Sequence, residues 1–131
     1  MSVPVLLDAN LLIALVVEEH EHHERAVAFV SSTDRVATCP VVEGALVRFL
    51  VRLGELPATA VAVLAALHRS PRCELWPDDL GFQDVDLGHV TRHRQVTDAY
   101  LAALAAHHGG RLATFDHALA LALPDSVELV P

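Results

Sequence analysis

The chain has 131 residues, is 53% apolar, and carries 17 acids against 9 bases for a net charge of −8; all nine bases are arginine and none is lysine. This length suits one domain spanning 1–131, no apolar run reaches the ~18 residues of a membrane span, and so acidic a chain is a poor general nucleic-acid coat, because phosphate contacts need cations. Cys39 and Cys73 form neither a disulfide framework nor a metal motif, and the first residues lack the basic region and cleavage site of a signal peptide, so a cytoplasmic protein is expected.

Taken in chain order, Val3–Leu7 reads as a buried strand, and Asn10 is placed to cap a first helix running to about Val17. The polar stretch EEHEHHE leads into a second helix through about Val30, with Ala26, Val27 and Val30 at helical spacing. Arg35–Thr38 is a short strand. Pro40 suits the first turn of a third helix that continues to Gly54, and Pro57 opens a fourth that ends before Pro71. Cys73–Trp76 is a strand. Leu80–Val90 carries no clear period; a short helix over Gly81–Asp84 and the start of a longer one are expected there. Thr97–His108 is a helix closed by Gly109 and Gly110, Arg111–Thr114 a strand, Asp116–Leu123 a short helix and Val127–Val130 a last strand. Strands alternating with helices imply parallel pairing with right-handed crossovers, and in such sheets the reactive crevice lies beyond the carboxyl ends of the strands.

Four carboxylates fall at that end. Asp8 follows the first strand, Glu43 lies in the opening turns of the third helix, Asp98 starts the helix TDAYLAALAAHH, and Asp116 follows RLATF. Each is embedded in core-forming sequence: LLD, VVEGAL, VTDAYL, ATFDHAL. Helix capping alone explains Asp98 or Asp116 taken singly, but it fits Glu43 poorly and does not explain four acids at one sheet edge. Clustered carboxylates repel and raise one another's pKa, and a divalent cation relieves that. An all-oxygen donor set without Cys or His points to Mg²⁺ or Mn²⁺ rather than Zn²⁺. His20, His22 and His23 lack the spacing of a zinc site and read as surface residues at a helix start.

In this ordered set the chain resembles PIN-domain ribonucleases of the VapC toxin type. The carrying motifs are LLDANLLIAL, VVEGAL, TDAYLAALA and the Thr-x-Asp of TFD, with EHEHHERA resembling the family's second helix. The resemblance implies a three-layer α/β/α sandwich around a mainly parallel sheet of four to five strands. It implies an endoribonuclease that cleaves single-stranded regions of RNA with metal-activated water, acts as the toxin of a toxin–antitoxin pair, and inhibits translation and growth. Carried over residue by residue, Asp8, Glu43, Asp98 and Asp116 would be catalytic and would hold one or two Mg²⁺ or Mn²⁺ ions. Asn10 and Thr114 would orient a carboxylate or water behind them, and Arg92, His93 and Arg94 would contact RNA phosphate. The expected partners are a VapB-type antitoxin, which grips a groove formed by helices 41–53 and 57–69 with the first two helices, a second copy of the chain, and RNA, with no membrane. Two rival readings are a PIN-like fold kept only as a binding module, which loss of acids would mark, and a phosphoacceptor receiver domain, which needs a lysine this chain lacks.

Overall fold

A computed structural model describes residues 3–131. Five strands alternate with six helices: β1 (Val5–Leu7), α1 (Ala9–Val16), α2 (His23–Ser31), β2 (Val36–Thr38), α3 (Pro40–Arg52), α4 (Pro57–His68), β3 (Cys73–Leu75), α5 (Gln95–His107), β4 (Arg111–Thr114), α6 (His117–Ala122) and β5 (Val127–Leu129). The strands are all parallel and lie in the order β3-β2-β1-β4-β5. This is the α/β sandwich expected, at the upper end of the strand count.

Topology fixes the layers. The chain steps from β1 to β2 to β3 in one direction, then returns past β1 to β4 and on to β5. With right-handed crossovers, α1–α4 cover one face of the sheet and α5–α6 the other. The direction of travel therefore reverses between β1 and β4, and a crevice opens beyond their carboxyl ends.

The core explains why these short strands hold. Leu6, Leu7, Leu112 and Ala113 in β1 and β4 are fully buried, with helices packed on both faces. This is the pattern of a central parallel strand, which reads as a continuous apolar run rather than an alternation. Leu46 of α3 and Leu101 and Leu104 of α5 complete the core. Gly54 and Gly109, with φ of 98° and 73°, follow the ends of α3 and α5 in the left-handed conformation that lets a helix stop.

Some boundaries differ from expectation for identifiable reasons. β1 is shorter than Val3–Leu7, because Pro4 has no N–H to give a ladder and Val3 is 50% exposed. The residue capping α1 is Asp8, not Asn10: its carboxylate accepts from Leu11 N at 2.8 Å, and Asn10 sits exposed in the first turn. Helix α5 begins at Gln95 rather than Thr97, because the Gln95 side chain accepts from the backbone N–H groups of Thr91 and Arg92 and folds the approach into a turn. Between β3 and α5 there is a single 3₁₀ turn at Phe82–Asp84 and no start of a longer helix.

Candidate active site

The crevice between β1 and β4 is built by two strand-to-helix junctions of the same design. In each, a strand ends, an aspartate takes extended backbone geometry, and its side chain caps the helix that follows. Asp8 caps α1, and Asp116 caps α6 by accepting from Leu119 N at 3.1 Å. Capping, offered above for Asp98 or Asp116, is thus true of Asp116 and also of Asp8, but not of Asp98, since α5 has Arg94 at its N-cap; it holds the Asp8 and Asp116 carboxylates at the sheet edge and occupies one oxygen of each. The two junctions are stitched together. Asp8 N donates to Ala113 O at 3.2 Å, Asp116 N donates to Thr114 Oγ1 at 3.0 Å, and the Thr114 hydroxyl also bonds the Asp8 carboxylate. Thr114, 1% exposed, therefore touches both acids.

Asp98 comes to the same crevice from the first turn of α5, in the layer that also holds α6. Burial, then the charges of Asp8 and Asp116, push its carboxyl up to about 6. Asp8, 5% exposed, is also raised, by burial first and by Asp116, against the lowering effect of its bonds to Thr114 and Leu11. Three acids from distant parts of the chain thus repel one another across one crevice. A cavity of about 50 Å³ beside them is lined by Asp98, Asp116, Gln95, His89 and Leu119, room enough for water.

Glu43 stands one strand over, on the first turn of α3 after β2, with a different set of neighbours. Its Oε2 accepts from Thr38 Oγ1 at 2.5 Å and lies 2.6 Å from His68 Nε2, at the end of α4. His68 in turn has Cys73 Sγ 3.7 Å from Nδ1. The charges that raise Asp98 are those of Asp8 and Asp116, so three of the four expected acids act on one another electrostatically, while the fourth is tied to His68. Among the described residues, no three Asp, Glu, His or Cys side chains close around one point as a formed metal site does. The donor chemistry at the crevice still suits a hard divalent ion: carboxylate oxygens, a neighbouring hydroxyl and space for water.

Other expected residues fall as follows. Arg92, His93 and Arg94 are exposed, immediately before α5 and on the approach to Asp98. Asn10 is one turn from the crevice with its side chain exposed. His23 bonds Ala14 O at 2.8 Å and His22 packs on Phe115, so the histidine-rich segment fastens α2 to its neighbours. Arg25 lies over the Phe115 ring and donates to Val130 O and Pro131 O, which ties α2 to the end of β5. Burial pushes both Cys39 and Cys73 up to about 11, so neither thiol is a ready nucleophile. Sequence reasoning missed the role of His68, because its partner Glu43 lies 25 residues away on another helix.

Comparison with known proteins agrees with this architecture. The model of the PIN domain family matches residues 5–122. The chain is 52% identical over 128 residues to Ribonuclease VapC29 of Mycobacterium tuberculosis, covering 97% of this chain and 96% of that protein. It is 42% identical over 125 residues to Ribonuclease VapC39 of the same organism, covering 88% and 90%. In fold it is similar to Mycobacterium tuberculosis VapC20, a Sarcin-Ricin loop cleaving toxin, with a TM-score of 0.71 at 22% identity over 97% of this chain and 99% of that one. It is also similar to FitAcB from Neisseria gonorrhoeae, with a TM-score of 0.61 at 21% identity over 94% and 95%. A parallel sheet with acids at its β1/β4 switch point, matched over nearly its full length by these relatives, places the chain in the PIN-domain family, among the VapC-type toxin ribonucleases.

Proposed function

We propose that the chain is a metal-dependent endoribonuclease, the toxin of a toxin–antitoxin pair, acting on single-stranded RNA. One observation carries this reading: Asp8, Asp98 and Asp116, unrelated in local sequence, lie near enough at the β1/β4 switch point for their charges to repel one another. The relatives named as ribonucleases support it.

In this reading Asp8, Asp98 and Asp116 hold Mg²⁺ or Mn²⁺, and Glu43, anchored through Oε2, completes the acidic set. A bound ion of this kind lowers the pKa of its water and offsets the negative charge of a phosphodiester. The chain's own residues do the rest. The backbone N–H groups of Leu11 and Leu119 hold one oxygen each of Asp8 and Asp116, so these carboxylates keep fixed rotamers. Thr114 fixes the spacing between them. Arg92, His93 and Arg94, exposed beside Asp98, receive RNA phosphates. In-line attack by water leaves 5′-phosphate and 3′-hydroxyl ends without using the 2′-hydroxyl.

Leu53, Leu56 and Val61 on the α3–α4 hairpin are 59%, 69% and 60% exposed. Beside them a cleft lined by Val16, Val17, Leu50 and Val63 is rimmed by Glu18, Glu19 and Glu55. An amphipathic, basic segment of a VapB-type antitoxin suits such a surface. Leu75 and Phe82, 55% and 51% exposed, are further apolar surface suited to pairing of two copies.

The test is expression in a bacterium lacking the partner, joined to RNA cleavage by the purified protein in Mg²⁺ or Mn²⁺ against EDTA. Wild type is expected to arrest growth and to cleave only with the ion; Asp8→Ala and Asp98→Asn are expected to do neither. Equal toxicity and equal cleavage in all three would overturn the assignment.

A further inference from the structure

Among the described residues, Phe82 is the one Phe, Tyr or Trp that is exposed: 51%, against 5% for Trp76 and Tyr100. Its ring is firmly mounted. In the 3₁₀ turn Asp84 N donates to Gly81 O and Val85 N to Phe82 O, and the ring packs tilted on Tyr100 with centroids 4.9 Å apart. Beside it is a hollow of about 340 Å³ lined by Val41, Leu80, Gly81, Phe82, Thr97 and Tyr100. Two of these residues locate it. Thr97 immediately precedes Asp98 in the first turn of α5, and Val41 stands two residues before Glu43 in the first turn of α3. The hollow thus lies at the same end of the sheet as the acids.

The chemistry of the hollow selects its occupant. Its walls are mostly apolar, with one aromatic ring open to water. The carboxylates of Asp78 and Asp79 lie near enough for their charges to act on Tyr100. A phosphate is repelled there, whereas a neutral flat ring is not. A chain of net charge −8 also gains little from phosphate contacts alone. Stacking of a base on an aromatic ring needs no cation and accepts any base, because every base has a π face. We propose that Phe82, with Val41 and Tyr100, forms a stacking subsite for a nucleobase of single-stranded RNA that flanks the bond cut at the acids. This rests on the ribonuclease reading above and adds to it a residue that grips the base rather than the phosphate. A second copy of the chain is the competing occupant; Leu75, also exposed, does not line the hollow and offers two copies a surface apart from it.

The experiment is binding of short, end-labelled homopolymers of A, C or U to the full chain, read by fluorescence anisotropy in Ca²⁺, a hard ion that takes oxygen ligands. The mass of each variant in solution is measured beside it by light scattering. Phe82→Ala is expected to bind about tenfold more weakly than wild type. The dependence of affinity on salt should stay the same, because no phosphate contact is lost. Phe82→Trp, which keeps a flat face, is expected to recover the affinity, and Phe82→Leu, apolar but not flat, to stay as weak as Phe82→Ala. Binding by Phe82→Ala within twofold of wild type would overturn the proposal. So would a change of mass in Phe82→Ala that Phe82→Leu restores together with RNA binding, which would mark a contact between copies. Wild type that binds none of these RNAs and cuts none in Mn²⁺ would instead sink the ribonuclease reading itself, so the two failures are distinct.

Discussion

Thr114 shows how much one hydroxyl carries at this site. It bonds the Asp8 carboxylate and accepts the Asp116 N–H, while being 1% exposed. Thr114→Val keeps the shape and removes both bonds, and is expected to cost about 1–3 kcal/mol in urea unfolding, with Thr114→Ser close to wild type. Asp98 makes the opposite kind of prediction. Its folded pKa of about 6 lies above the ordinary 3.8, so between those values the native state binds more protons than the unfolded chain. Stability of the metal-free protein should therefore fall as pH rises through that window, and Asp8, also raised, adds to the fall. Asp98→Asn should flatten the slope and leave the metal-free protein more stable at pH 7, by on the order of 1–2 kcal/mol. Melting curves from pH 4 to 7.5, with and without Mn²⁺, check this; a saturating ion should restore stability to the wild type and not to the variant.

At the level of elements, the turn between α5 and β4 is the tightest constraint. A Cβ on Gly110 would collide with the carbonyl oxygen of Pro4 and come 3.0 Å from the Trp76 ring. Because Gly110 sits where β4 enters the sheet beside β1, Gly110→Ala should cost about 1–3 kcal/mol and disturb the register on which the crevice depends, read as a lowered unfolding midpoint. The elements themselves were legible in the sequence because each has a local signal: Pro40 and Pro57 at helix starts, Gly54 and Gly109 past helix ends, and apolar runs for the buried strands. The three aspartates were legible for the same reason, since each stands at such a junction. Pairing across the fold was not. The bond between Glu43 and His68 joins residues 25 apart and depends on how α3 folds back on α4, which no local pattern encodes.

For the whole molecule, the apolar α3–α4 surface lies largely outside the core. Leu56 and Val61 contribute little to the core, being 69% and 60% exposed. Leu56→Lys and Val61→Lys should change stability by about 0.5 kcal/mol or less while preventing co-purification of a co-expressed antitoxin, with RNA cleavage unchanged. The sheet order has a different consequence. Val5 pairs with Val36 on one side and with Arg111 on the other, so the central strand gains its second neighbour only when the last part of the chain is available. Non-local pairings of this span form late, and domains fold as units once synthesised. A polypeptide still emerging from the ribosome, or one cut short before β4, has Asp8, Glu43 and Asp98 but lacks Thr114, Asp116 and the β1/β4 crevice. A fragment ending before Arg111 is therefore expected to leave RNA intact and growth undisturbed where the longer chain does not, which expression of the two side by side would check.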